Sequence, residues 1–208
     1  MKIDWNNTLR CIVALAATAL VASASCGRAE PPKDLPNSAD VSPRYEKPKK
    51  PALNSALERC LADVPKAQEE LRTLFAEGKV KRRHHPQGGW AAYIKLTNKG
   101  NFELYDIAFY GQTERILSFT KFVYADEEHK HELHDLGYEM YFDENGRVEK
   151  YQRRSTGLLH FYPNGTLKSF GGLLEDGTHL VARWNEDGKL VSVKDRHLKE
   201  IENPNKDK

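Results

Sequence analysis

Three stretches of this chain share one seven-residue pattern, and that pattern restricts the fold more than any other feature. They are FDENGRV from Phe142, FYPNGTL from Phe161 and WNEDGKL from Trp184. Superposed on Gly146, Gly165 and Gly188, each has Asn or Asp just before the glycine, an aromatic residue four places before it and an aliphatic residue two places after it. Hairpin chemistry accounts for the spacing. In a three-residue loop a type I turn is followed by a residue at positive φ, which glycine adopts without steric cost. Pro163 then occupies the favoured first central position of its turn. Such a loop sets Phe142 opposite Val148, Phe161 opposite Leu167 and Trp184 opposite Leu190. Pairs of this kind contribute about 0.2 to 1 kcal/mol each beyond alanine. A single hairpin is marginal in water, so the three are expected as neighbours in one continuous sheet.

Upstream, WAAYIKLT, FELYDIAFY and RILSFTKFVYA, beginning at Trp90, Phe102 and Arg115, are rich in aromatic and β-branched residues and are separated by NKGN and GQTE. They predict three more antiparallel strands. The stretch from Leu96 to Phe102 keeps the hairpin spacing about Gly100 with the aliphatic and aromatic positions exchanged, which suggests a worn copy of the repeat. Ahead of these strands the period changes. Leu57, Cys60 and Leu61 share one face of a short helix. Asp63 is placed to cap a second helix with Pro65 in its first turn, Ala67, Leu71, Leu74 and Phe75 as its apolar stripe, and Gly78 as its end. The expected class is therefore α+β, mainly antiparallel β: a helical segment over 55–78, then a β-meander over 79–197 with its repeats at about 137–194. A polar tail over 198–208 is expected to be disordered.

The first 25 residues read as an export signal. Lys2 and Arg10 precede the small apolar run CIVALAATALV from Cys11 to Val21, which falls well short of the roughly 20 apolar residues a membrane-spanning helix needs. The following ASASC, Ala22 to Cys26, resembles the lipobox of bacterial lipoproteins, with Ala24 and Ser25 at the small positions before the cut. Ser23 departs from that pattern, where an aliphatic residue is usual. The resemblance implies lipidation of Cys26 and a protein held on the bacterial cell envelope. Ordinary cleavage after Ala22 or Ala24 is the alternative; it gives a soluble periplasmic or secreted protein in which Cys26 and Cys60 can form a disulfide. Residues 26–54 are rich in proline and charge and read as an extended tether.

The phrases YEMYFDENGRV, LLHFYPNGTL and THLVARWNEDGKL, which follow Gly137, Gly157 and Gly177 at equal intervals of twenty, resemble MORN repeats in their bacterial variant form. Membership implies a scaffold or membrane-proximal module that contacts another protein or a surface, with no cofactor and no catalytic residues of its own.

The remaining chain offers little chemistry. Net charge is +2 among 208 residues, and no basic module interleaved with aromatics appears, so nucleic-acid binding is not expected. A mean hydropathy of −0.70 fits a heavily charged surface around a modest core. HKHELHD, within the charged stretch Ala125 to Asp135, reads as a loop or short solvated helix. A helix would bring His131, His134 and Asp135 to one face, and a strand would bring His129 and His131 together, so either offers weak metal ligands. The metalloprotease spacing is absent, because one residue is missing between Glu132 and His134. A secreted enzyme or metal-binding protein using this loop is the alternative function. KVKRRHH, Lys79 to His85, reads as a solvated connector, with contact to anionic lipid headgroups or an acidic partner as its second reading. Glu149, His160, Lys168 and Arg183 alternate away from the aromatic side of the hairpins and are candidates for a binding surface.

Overall fold

The computed structural model describes residues 43–85, 88–98, 101–124, 133–153, 156–195, 197 and 199–202. A short arm, 43–50, leads into one helix, α1 (Pro51–Ala76), and then into a meander of antiparallel strands. These are β1 (Arg83–His84), β2 (Trp90–Asn98), β3 (Asn101–Phe109), β4 (Ile116–Tyr124), β5 (Leu133–Phe142), β6 (Val148–Arg153), β7 (Gly157–Phe161), β8 (Leu167–Leu173), β9 (His179–Trp184), β10 (Leu190–Asp195) and β11 (Glu200–Glu202). All eleven belong to one sheet whose spatial order is the chain order. No described helix is long and apolar enough to cross a membrane.

The two helices expected over 55–78 are one helix of 26 residues. Its buried residues Leu53, Leu57, Cys60, Val64, Ala67, Leu71 and Leu74 keep a step of three or four throughout, with Ala56, Gln68 and Phe75 buried beside them. Val64 is the link that joins the two stripes, and burial along the whole face outweighs the hydrogen bond and backbone clearance lost at Pro65. Asp63 is accordingly a mid-helix residue rather than a cap. The helix ends as its sequence suggests. Gly78 has a φ of 67°, its N–H donates to the Phe75 carbonyl, and the Lys79 N–H donates to the Leu74 carbonyl, which is the Schellman arrangement.

The three repeated phrases form the predicted loops. Gly146, Gly165 and Gly188 have φ of 76°, 82° and 79°, and each donates its N–H to the carbonyl three residues back. Phe142 pairs with Val148, Phe161 with Leu167 and Trp184 with Leu190, each beside a one-residue bulge. All six side chains lie in the core.

The twenty-residue glycine spacing has no structural counterpart. Gly137 lies inside β5, Gly157 opens β7, and Gly177 sits in a turn of the same kind as the other three, with a φ of 77°. That fourth turn, at the opposite end of the strands, pairs Leu173 with His179, which are both exposed. The worn copy about Gly100 also fails, since Thr97 rather than Leu96 is the register partner of Phe102, as a two-residue connection requires.

The element boundaries shift as well. Residues 43–54, read as the end of a disordered tether, form the packed arm and the first turn of α1, and 200–202, read as tail, form β11. Arm and sheet meet at the last repeat. The Glu46 N–H donates to the Gly188 carbonyl at 2.6 Å, the Trp184 Nε1–H donates to the Glu46 carbonyl at 2.8 Å, and the Leu190 N–H donates to Glu46 Oε2 at 3.0 Å. Tyr45 meets the Trp184 ring edge-on at 6.0 Å between centroids.

Residues paired across strands share a face of the sheet. The face carrying Tyr105, Phe119, Met140, Tyr151, Leu159, Phe170 and Ala182 packs under α1 and forms the core. The opposite face has no described element over it.

Candidate functional site

Two constellations of polar side chains stand out, one under the helix and one on the uncovered face. Under the helix, Glu70 projects from α1 toward β3, β4 and β5. Its Oε1 accepts from the Lys121 ammonium at 2.6 Å and from the Tyr105 hydroxyl at 2.7 Å, and its Oε2 accepts from the Tyr138 hydroxyl at 2.5 Å. Glu103 also faces Lys121, at 2.8 Å, and Tyr105, at 2.6 Å, so the single tyrosine proton serves one carboxylate at a time.

The electrostatics of this cluster hold Tyr105, Tyr138, Lys121 and Glu103 away from neutral titration. Burial and the neighbouring carboxylates push both Tyr105 and Tyr138 far above the ordinary phenol value. Burial alone lowers the Lys121 pKa, but the two carboxylates outweigh it and raise the pKa above the ordinary lysine value. Burial likewise raises Glu103, and the Lys121 ammonium with the Tyr105 hydroxyl outweighs it, so its carboxyl lies below the ordinary range. These phenols and this ammonium stay protonated at pH 7. The arrangement fits a helix-to-sheet rivet better than a proton-transfer site, which wants groups near neutrality. A second rivet lies about two turns earlier along α1, where Arg153 Nη1 donates to Asp63 Oδ2 at 2.6 Å.

The uncovered face carries a row of register partners. At its first end are Tyr93, Asp106, Thr120 and Glu139, on β2 to β5. Burial raises the Asp106 carboxyl, against a lowering from His85. In the adjacent row the Tyr141 hydroxyl donates to Glu139 at 2.9 Å and is pushed up to about 12 by burial and that carboxylate. Lys150 reaches Glu139 at 3.5 Å and lies over the Tyr141 ring. From Lys150 the row runs through His160, Ser169, Arg183 and Ser192. Burial, with Lys150 and Lys168 close by, pushes the His160 pKa down. The face is thus acidic over β3 and β5 and basic over β6 to β9.

The residues singled out by sequence distribute as follows. Glu149, Lys168 and Arg183 are exposed and His160 is half-buried, as expected of strand residues facing away from the core. Glu149 and Lys168 occupy the bulge positions after Val148 and Leu167. Gly146, Gly165, Gly188, Phe142, Phe161 and Trp184 build turns and core rather than a site. Cys26 and the pair His129 and His131 lie outside the described residues. His134 and Asp135 belong to the backbone of β5, which overturns the helical reading for that part of the loop. Among the described residues no group of three His, Cys, Asp or Glu is placed to hold a metal.

Cys60 is fully buried on α1 and its thiol is pushed up to about 12 by that burial, which is the setting of a core side chain. In the KVKRRHH connector, Arg82 pairs with Glu114 at 2.8 Å and lies over the Trp90 and Phe109 rings, while Arg83 and His84 form the edge strand β1. Glu70, Glu103 and Lys121 were not legible as a cluster, because they converge from three elements. The available hint was a charged residue flanking the apolar stripe of α1 and two more alternating into the core face of strands. Compared with known proteins, the chain matches no family model and no curated sequence.

Proposed function

We propose that this chain is a non-enzymatic module of a bacterial cell envelope, anchored through a lipid on Cys26 and binding another envelope protein or a surface through its sheet. The anchor rests on the short apolar run before ASASC. The binding role rests on one observation: α1 occupies one face of the sheet, while the other holds aromatic, acidic and basic side chains in fixed register. A rigid, preorganised surface of this kind loses little side-chain entropy on association. The likeness of the hairpins after Gly137 to MORN repeats agrees with a contact role, and their shared turn chemistry supports it.

The test is the intact mass and N-terminal peptide of the mature protein from the membrane fraction of its native host, followed by cross-linking there. A diacylglyceryl group on Cys26, lost with release of the protein in Cys26→Ala, is the expected result. An unmodified N-terminus on a released protein overturns the anchor. A saturable cross-link that depends on residues of the uncovered face is expected, and its absence overturns the binding role.

A further inference from the structure

On the uncovered face, Gly171 stands in β8 directly between Leu158 of β7 and Val181 of β9. Its backbone lies outside the left-handed region, so no turn or strain calls for glycine there. A Cβ added at Gly171 would meet Val181 Cγ2 at 3.9 Å and nothing else within 4 Å. The neighbouring Gly172 differs: its Cβ would run into the Phe170 ring on the core side. A strand-interior glycine with open space above it weakens the strand and leaves room for close approach of another chain. The gap is flanked by two aliphatic side chains at adjacent strand spacings of about 4.8 Å each.

Two residues along β9 from Val181 is Arg183, which is exposed and has no ion-pair or hydrogen-bond partner among the described residues. Its register partners are Ser169, half-buried with a hydroxyl able to donate to an anion, and Ser192, which is buried. Lys150 and Lys168 lie on the same basic side around His160, with Glu149 near it and with Lys150 reaching back to Glu139 at 3.5 Å. Arg183 lies about 7 Å along the strand direction from Val181, the rise of two extended residues, and one strand over from Gly171.

We propose that Gly171 and Arg183 form a docking site for an extended acidic segment of a partner protein. A bulky apolar side chain of the segment seats over Gly171 between Leu158 and Val181, and a carboxylate two residues further on pairs with Arg183. This rests on the reading of the uncovered face as a contact surface and names the chemistry of the partner. A peptide fits better than an anionic bilayer, because a membrane plane would also press headgroups against Asp106 and Glu139 on the same face.

The test titrates the full chain with a capped synthetic heptapeptide carrying leucine at its third position and glutamate at its fifth, read by backbone amide NMR. Saturable shifts centred on Gly171, Val181 and Arg183 are expected. Glutamine in place of the glutamate, or Arg183→Glu in the protein, should weaken binding at least tenfold. Gly171→Val should abolish it while leaving the melting temperature unchanged or raised, since a Cβ there makes only an ordinary contact with Val181 Cγ2 and valine favours a strand. No shifts, or shifts that survive Gly171→Val, overturn the site. Arg183-dependent sedimentation with phosphatidylglycerol vesicles, without peptide binding, overturns the peptide in favour of a headgroup. If the envelope cross-link persists in the Gly171→Val and Arg183→Glu variants, the contact role stands and only this site falls.

Discussion

At Gly188 a Cβ would stand 2.7 Å from the Arg44 carbonyl oxygen, whereas at Gly165 it would meet nothing within 4 Å. Both glycines hold positive φ in turns of the same type, so alanine at either incurs the left-handed penalty of roughly 1–2 kcal/mol. Only at Gly188 must the arm also move. Gly165→Ala is therefore expected to lose about 1 kcal/mol in urea unfolding. Gly188→Ala is expected to lose clearly more, with faster amide exchange at Glu46 and Leu190, whose hydrogen bonds tie arm to hairpin; equal losses would mean that the arm contributes nothing. Glu103 supports a second prediction. Its folded-state pKa lies below the unfolded value, so its pairing stabilises the protein above the ordinary carboxylate range and is lost as pH falls through the depressed folded value. Glu103→Gln should flatten the acid limb of the stability profile below about pH 4.5. An acid limb identical to that of the parent would show that Lys121 is satisfied by Glu70 alone.

For the three repeated hairpins, local chemistry was sufficient: the aromatic and aliphatic positions about Gly146, Gly165 and Gly188 specify loop length, register and buried face together. The helix was legible in kind but not in extent. Pro65 and a preceding Asp63 are local stop-and-start signals, and they were overruled by Val64, whose burial joins two apolar stripes through a tertiary contact that local pattern cannot weigh. The cluster about Glu70 was illegible for a similar reason, since Glu70 and Lys121 are 51 residues apart and meet only when α1 lies across the sheet. If α1 is held together by burial against a local penalty, relieving the penalty should stabilise it. Proline costs about 3 kcal/mol relative to alanine inside a helix, and part of that is already relaxed in a native helix that has adjusted around it. Pro65→Ala is expected to gain roughly 1–2 kcal/mol, read as a higher melting temperature. A loss would show that Pro65 helps shape α1 to the sheet and that replacing it weakens the contacts of Asp63 or Glu70.

A meander in which each strand touches only its chain neighbours would unfold from its ends, because its stability is a sum of neighbour terms. Here α1 lies across those neighbours. Going along it, Arg59 pairs with Glu175 in the β8–β9 turn, Asp63 with Arg153 of β6, and Glu70 with Lys121 of β4 and Tyr138 of β5. The first pair is exposed and contributes little. The other two are partly buried and leave polar groups without partners if one side is removed, at a cost of about 1–3 kcal/mol each. The helix thus converts a linear array into one cooperative unit, and it does so while leaving the opposite face of the sheet clear. Native-state hydrogen exchange should then show the amides of β4 through β9 opening together at the global free energy, with the short edge strands β1 and β11 exchanging sooner. Asp63→Ala and Glu70→Ala should each lower the protection of the whole block by the same amount as they lower global stability, even in strands that do not touch the mutated residue. Protection lost only in β6 for Asp63→Ala, and only in β4 and β5 for Glu70→Ala, would mean that the strands behave as independent repeats and that the helix is a passenger on the sheet.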